Sequence, residues 1–238
     1  MAARGNHRAR ILILGGTAEA ADLAARLVAQ GETDVITSLA GRTANPAPLA
    51  GKVRIGGFGG VAGLTRYIAE NSITKVIDAT HPFASRISEN ARLACAAAGI
   101  PLERAERPVW QRQPGDTWIE VPTLDEAAAA LPAGASVFLA LGRQHLSAFE
   151  ARPDCHFIVR MIDPPEVPPA FANSDLVLGK PGINPEDEIA LLRDHAITHL
   201  VCRNSGGAAG YGKIIAARRL GLPVIMIGRP KEPLPAPG

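Results

Sequence analysis

Short apolar runs of strand type alternate with alanine- and leucine-rich helical patterns along nearly the whole chain. That alternation restricts the fold to parallel sheets covered by helices. Its first instance is also the most informative. Ile11-Leu12-Ile13-Leu14 runs straight into Gly15-Gly16-Thr17, and an alanine-rich helical pattern follows from about Glu19 to Gln30. The opening N–H groups of such a helix lack internal partners, and its dipole leaves partial positive charge there. A strand that empties through glycines into a helix N-terminus is therefore suited to hold an anion.

The same rhythm predicts strands at Asp34–Ser38, Lys52–Ile55 and Lys75–Ala79, with a further strand starting near Pro101. Helices are predicted over about Val61–Asn71 and Ala84–Ala98. From Arg104 to Gln113 the pattern gives way to charged and polar residues with a proline, which predicts a linker and two domains, 1–103 and 104–238. Beyond it the alternation resumes. Strands are predicted at Trp118–Val121, Ser136–Leu141, His156–Met161, Leu176–Leu178, Thr198–Cys202 and Pro223–Ile227. Helices are predicted at Thr123–Leu131, Pro185–His195 and Ala208–Leu220. The proline-rich end, from Arg229 to Gly238, reads as a loose tail.

Composition removes several function classes. Aromatics make up 4% of the residues and the formal net charge is +2, which argues against a nucleic-acid partner. The three cysteines, Cys95, Cys155 and Cys202, are far apart, so buried thiols in a reducing compartment are expected rather than disulfides or a metal site. No apolar stretch is long enough to span a membrane. The first ten residues carry charge without an apolar run, so no secretory leader is expected and the location is read as cytoplasmic.

The strand ends of the first half carry the chemistry of a dinucleotide site. Gly15, Gly16, Thr17 and Ala18 form the turn after the first strand, where open α/β sheets bind ligands. NAD-type sites place a carboxylate near the end of the second strand for the ribose 2′-hydroxyl. Here that strand ends Thr37-Ser38-Leu39-Ala40-Gly41-Arg42-Thr43, with no acid. Ser38, Gly41, Arg42 and Thr43 instead suit a 2′-phosphate, which points to NADPH over NADH. Gly57, Phe58 and Gly59 follow the third strand, where bare backbone and one ring could lie against a ribose or nicotinamide. Thr80 and His81 follow the fourth, and His81 could line the site or move a proton.

These stretches, Gly15–Ala20, Ser38–Arg42, Arg54–Gly60 and Asp78–Phe83, resemble in order and spacing the precorrin-6A reductase family. Arg203–Gly207, Tyr211–Lys213 and Leu222–Pro230 are similar to that family too, so the resemblance covers nearly the whole chain. It implies two Rossmann-like α/β domains with largely parallel sheets and an active-site cleft between them. It also implies NADPH-dependent reduction of one carbon–carbon double bond of the macrocycle precorrin-6A, giving precorrin-6B in cobalamin synthesis. The first domain would bind NADPH and the second the substrate, with hand-over contacts to neighbouring pathway enzymes a further implied partnership.

Such a macrocycle carries many acetate and propionate arms and needs cations and donors around it. The second half offers Arg143, Lys180, Arg203, Asn204, Ser205, Gly206 and Lys213 at strand-to-helix turns, with His81 a further candidate from the first. His145, His156, His195 and His199 read as structural. His81, Tyr211 and Lys213 are the proton-donor candidates, with water as another. Two rival classes stay open. A short-chain-type dehydrogenase needs a tyrosine with a lysine four residues later, whereas Tyr211 and Lys213 stand two apart. A non-catalytic NADPH-binding or sensing module would share the first half's features.

Overall fold

A computed structural model describes residues 9–31, 34–41, 48–105, 107–165, 167, 169–182 and 184–230. The chain divides into two units, Met1–Glu106 and Arg107–Gly238. Most of the tail read as loose, residues 231–238, lies outside the described residues.

The first unit runs β1 (Ile11–Leu14), α1 (Ala18–Ala29), β2 (Val35–Leu39), β3 (Lys52–Ile55), α2 (Gly60–Glu70), β4 (Lys75–Asp78), α3 (Ser85–Ala98) and β5 (Leu102–Arg104). Its sheet has the order β3-β2-β1-β4-β5, with every neighbouring pair parallel. The continuous apolar run of β1 follows from its central place: both faces are covered, so both side-chain parities must be apolar. Leu12 and Leu14 enter the cluster with Leu64 of α2 and Ala91 of α3. Ile11 and Ile13 face the other way, against Ala20 and Ala24 of α1. The direction of strand addition reverses between β1 and β4, and that reversal opens a crevice at the strand C-termini.

The second unit contains β6 (Thr117–Val121), α4 (Leu124–Ala129), β7 (Ser136–Ala140), β8 (His156–Met161), β9 (Ser174–Leu178), α5 (Pro185–Asp194), β10 (His199–Arg203), α6 (Gly212–Leu220) and β11 (Pro223–Ile227). Its sheet order is β6-β11-β10-β7-β8-β9, again wholly parallel. Both units are thus α/β with parallel sheets, as the alternation predicts.

Local chemistry sets the helix ends. Thr17, Thr123 and Asn184 each accept an N–H of the first turn through a side-chain oxygen, and Pro185 opens α5. Gly99 and Gly221 end α3 and α6 in the left-handed conformation.

Two expectations change. The segment read as a linker joins the second unit's core: Trp110 is buried with Phe138, Leu200 and Ile214. Arg104 and Ala105 belong to the first unit, because Arg104 pairs with Asp78 and Ala105 donates to the Asp78 carbonyl. The helix predicted from Ala208 begins only at Gly212. A Cβ on Gly206 would stand 2.1 Å from the Pro108 carbonyl oxygen, and its φ is +67°, so the chain there is held in a turn against residues 108–110.

Candidate functional site

The first unit's sheet gathers its candidate residues along one rim. Gly15 donates to the Ser38 carbonyl at 2.9 Å, and Ala79 donates to the Leu14 carbonyl at 3.0 Å, so the ends of β2, β1 and β4 are stitched together. Thr17 hydroxyl donates to the Ala79 carbonyl at 2.9 Å and accepts from Ala20 N–H at 3.1 Å. It thereby fixes the start of α1 against the end of β4, and its side chain has no proton left for a ligand. Gly16, at φ +104°, turns the chain over open space between them.

Next along the rim stands Ser38, 7% exposed, at the end of β2. Gly41 lies beyond it, beside Ile55 and Gly56. Arg42 and Thr43, expected to hold a 2′-phosphate, lie outside the described residues. The loop after β3 lies down on α2 where Gly63 permits it: a Cβ there would overlap the Phe58 carbonyl oxygen at 1.7 Å. Phe58 then meets Tyr67 edge-on at 5.2 Å. Gly57 and Gly59 flank that ring on exposed backbone.

Beyond β4, Thr80 donates through both N–H and hydroxyl to the buried Asp78 carboxylate, at 3.1 and 2.6 Å. The hydroxyl can therefore only accept from a ligand. His81 Nδ1 accepts from Phe83 N–H at 3.3 Å, which leaves a neutral ring's proton on Nε2.

The second unit has a basic rim of its own. Arg203 ends β10, Arg143 follows β7 in a short 3-10 turn, and Lys180 stands exposed after β9. Arg203 contacts His145 Nε2 at 2.9 Å, so the histidine read as structural belongs beside this cation. Asn204 has another task. Its amide oxygen accepts from Trp110 N–H at 2.8 Å and its amide nitrogen donates to the Trp110 carbonyl at 3.0 Å. Arg229 collects the carbonyls of Arg107, Asn204 and Ser205, and Trp110 donates its indole N–H to the Gly207 carbonyl at 2.7 Å. The turn read as a second anion loop, Ser205 to Gly207, is thus built into the packing of residues 107–110, with Gly206 at its tightest point.

Lys213 is buried, with its ammonium donating to the Gly210 carbonyl and lying 4.9 Å from the Trp110 ring centre. Burial lowers its pKa from the ordinary 10.5. Tyr211 hydroxyl accepts from Arg218 at 2.9 Å, and Arg218 is paired with the buried Asp116 at 2.8 Å. Sequence reasoning missed a second buried pair, Arg160 with Glu188 at 2.8 Å. It also missed Arg54, whose guanidinium reaches Ser38 Oγ at 3.3 Å. The signal for Arg54 was a charge near the end of a strand that empties into a glycine loop.

The residues present suit a dinucleotide. They supply an open glycine turn, an ordered helix N-terminus, bare backbone and a ring along one strand-end rim. Fold and rims together define a class: α/β proteins of two parallel-sheet units, one with a rim of glycines and hydroxyls and one with a basic rim.

Comparison with known proteins narrows the class. Residues 10–237 match the family described as "Precorrin-6x reductase CbiJ/CobK". The precorrin-6A reductase of Rhodobacter capsulatus is 49% identical over 225 residues, covering 94% of this chain and 89% of that protein. A solved structure of "CobK precorrin-6A reductase" superposes with a TM-score of 0.91 at 48% identity, covering 95% of this chain and 90% of that one. A cobalt-precorrin-6A reductase of Priestia megaterium is more distant, at 32% identity over 93% of this chain and 91% of its own length. The chain belongs to the precorrin-6x reductase family.

Proposed function

We propose that this protein reduces one carbon–carbon double bond of precorrin-6A with NADPH, giving precorrin-6B in cobalamin synthesis. Membership of the family over residues 10–237 carries the reading. The lower identity of the cobalt-named relative favours the metal-free ring as substrate.

When bound, NADPH supplies a hydride to one carbon of the double bond. Gly15, Gly16, Thr17 and Ala18 would take the pyrophosphate on their backbone and on the start of α1. Ser38, Gly41, Arg42 and Thr43 would hold the 2′-phosphate, and Gly57, Phe58, Gly59 and Thr80 the remaining sugar and ring. Arg143, Lys180, Arg203 and Lys213 would answer the carboxylate arms, with Ser205 and His81 as lesser candidates. The Asn204 side chain and the Gly206 backbone are left out of that set because both serve the 107–110 segment.

A proton must reach the second carbon to complete the saturated bond. His81, Tyr211 and Lys213 are the candidates to supply it. Burial lowers the Lys213 pKa, which makes its ammonium a readier acid, and the Tyr211 hydroxyl accepts from Arg218, which leaves its own proton to donate. The chain's main contributions are orientation and charge matching, since cofactor and ring carry the electronic change.

The deciding experiment mixes the purified protein with NADPH and metal-free precorrin-6A, and with cobalt-precorrin-6A in parallel. Loss of NADPH absorbance with the metal-free ring is expected. Binding of NADPH without its oxidation by either ring would make the protein a non-catalytic module. Arg42→Ala should raise the KM for NADPH by about tenfold or more and that for NADH far less.

A further inference from the structure

The first unit's rim holds a cation that the 2′-phosphate assignment above does not use. Arg54 sits in register with Ser38 on the neighbouring strand, at the end of the sheet where the ligand crevice opens. Its guanidinium is fixed from several directions. Nη1 donates to Ser38 Oγ at 3.3 Å and to the Gly56 carbonyl, and Nη2 donates to the Gly57 carbonyl at 2.8 Å. The central carbon lies 3.9 Å from the Phe58 ring centre and 5.1 Å from that of Tyr67.

Arg54 differs in charge balance from the arginines held in ion pairs. Arg10, Arg152, Arg160 and Arg218 each meet a carboxylate at 2.7 to 2.8 Å. Among the described residues Arg54 meets none; its partners are two carbonyls, a hydroxyl and two rings. All of these are neutral, so no partner among the described residues compensates its positive charge. Three of an arginine's five N–H groups are used. Nε–H and one Nη2–H have no acceptor among the described residues, and the Nη2 contact with Gly57 is solvent-exposed. The side chain is already immobilised, so little rotamer entropy remains to be lost on binding an anion.

We propose that Arg54 is a cofactor-specificity residue: with Ser38 it forms a preorganised cation–hydroxyl pair that receives the 2′-phosphate of NADPH. The proposal rests on the NADPH reading of the first unit and adds a guanidinium on β3 to the Arg42 expected from the sequence. The same side chain sets the conformation of the loop at Gly56 and Gly57, so phosphate recognition and loop geometry are coupled through one group.

The test is equilibrium binding to the full chain, without substrate, by NADPH and NADH fluorescence and by calorimetry with 2′,5′-ADP and 5′-ADP. Arg54→Gln should weaken NADPH and 2′,5′-ADP by about 10- to 100-fold and NADH and 5′-ADP by less than about threefold. Arg54→Lys, which keeps the charge without the fork, should weaken the phosphorylated pair by about three- to tenfold and spare the others. It also serves if Arg54→Gln fails to fold, which circular dichroism would reveal. An equal loss for phosphorylated and unphosphorylated ligands in the folded variants overturns the proposal and leaves Arg54 a loop latch. So does unchanged affinity for all four. A wild-type chain with no preference for NADPH overturns the cofactor reading itself, and the Arg54 assignment falls with it.

Discussion

Burial pushes the Lys213 pKa below 10.5, and the direction of its effect on stability follows from proton counting. Between the lowered folded value and 10.5 the unfolded chain binds more protons than the folded one. Stability attributable to this group therefore rises as pH climbs through that window. Cys202, fully buried and pushed up to about 11, acts in the opposite sense above 9.0. The lysine is thus read from a difference curve. Urea denaturation of wild type minus Lys213→Met should show wild type gaining stability as pH approaches 10.5, and a flat difference would remove the lowered pKa. The Arg160–Glu188 pair is a simpler case. Its side chains are only 10% and 2% exposed, so Glu188→Gln should destabilise the second unit by about 3 kcal/mol in the same assay. Neither environment was legible beforehand. A lysine near a helix start and a glutamate in an acidic first turn look like ordinary surface charges; only packing brings Trp110 against the first and Arg160 against the second.

At the scale of elements, the glycine turns do different work from one another. The turn before α1 is held by a cap and a strut from a single hydroxyl, since Thr17 both accepts from Ala20 and donates to Ala79. Thr17→Ala should cost about 1–2 kcal/mol in urea denaturation, with Thr17→Ser close to wild type. The turn after β10 is shaped by what lies against it. Gly206→Ala meets the Pro108 carbonyl and a left-handed backbone, which alone costs about 1–2 kcal/mol. Loss of Trp110 burial, seen as a red shift of tryptophan fluorescence, should accompany it. Both turns look alike as sequence, a small or hydroxyl residue among glycines after an apolar run. Only the identity of the neighbouring backbone tells an anion-ready turn from one filled by its own chain.

At the scale of the whole molecule, the proposal assigns cofactor and ring to different units, and this has a measurable consequence. Arg203→Ala should weaken the macrocycle by about tenfold or more while leaving the NADPH dissociation constant unchanged. An equal effect on both ligands would remove that division of labour.

The sequence by itself determined the two parallel sheets, their strands and most helix starts. These depend on local quantities: side-chain parity in a strand, helical periodicity, caps, and glycines at turns. It also marked the family and the glycine-and-hydroxyl rim of the first unit, because those motifs are contiguous. Tertiary structure alone decided that Arg54 meets Ser38, that His145 meets Arg203, and that Trp110 belongs to a core and is held by Asn204. Those partners are 16, 58 and 94 residues apart. Strand order brings them together, and strand order is set by which buried faces pack best across the whole unit, a property no single stretch of residues carries.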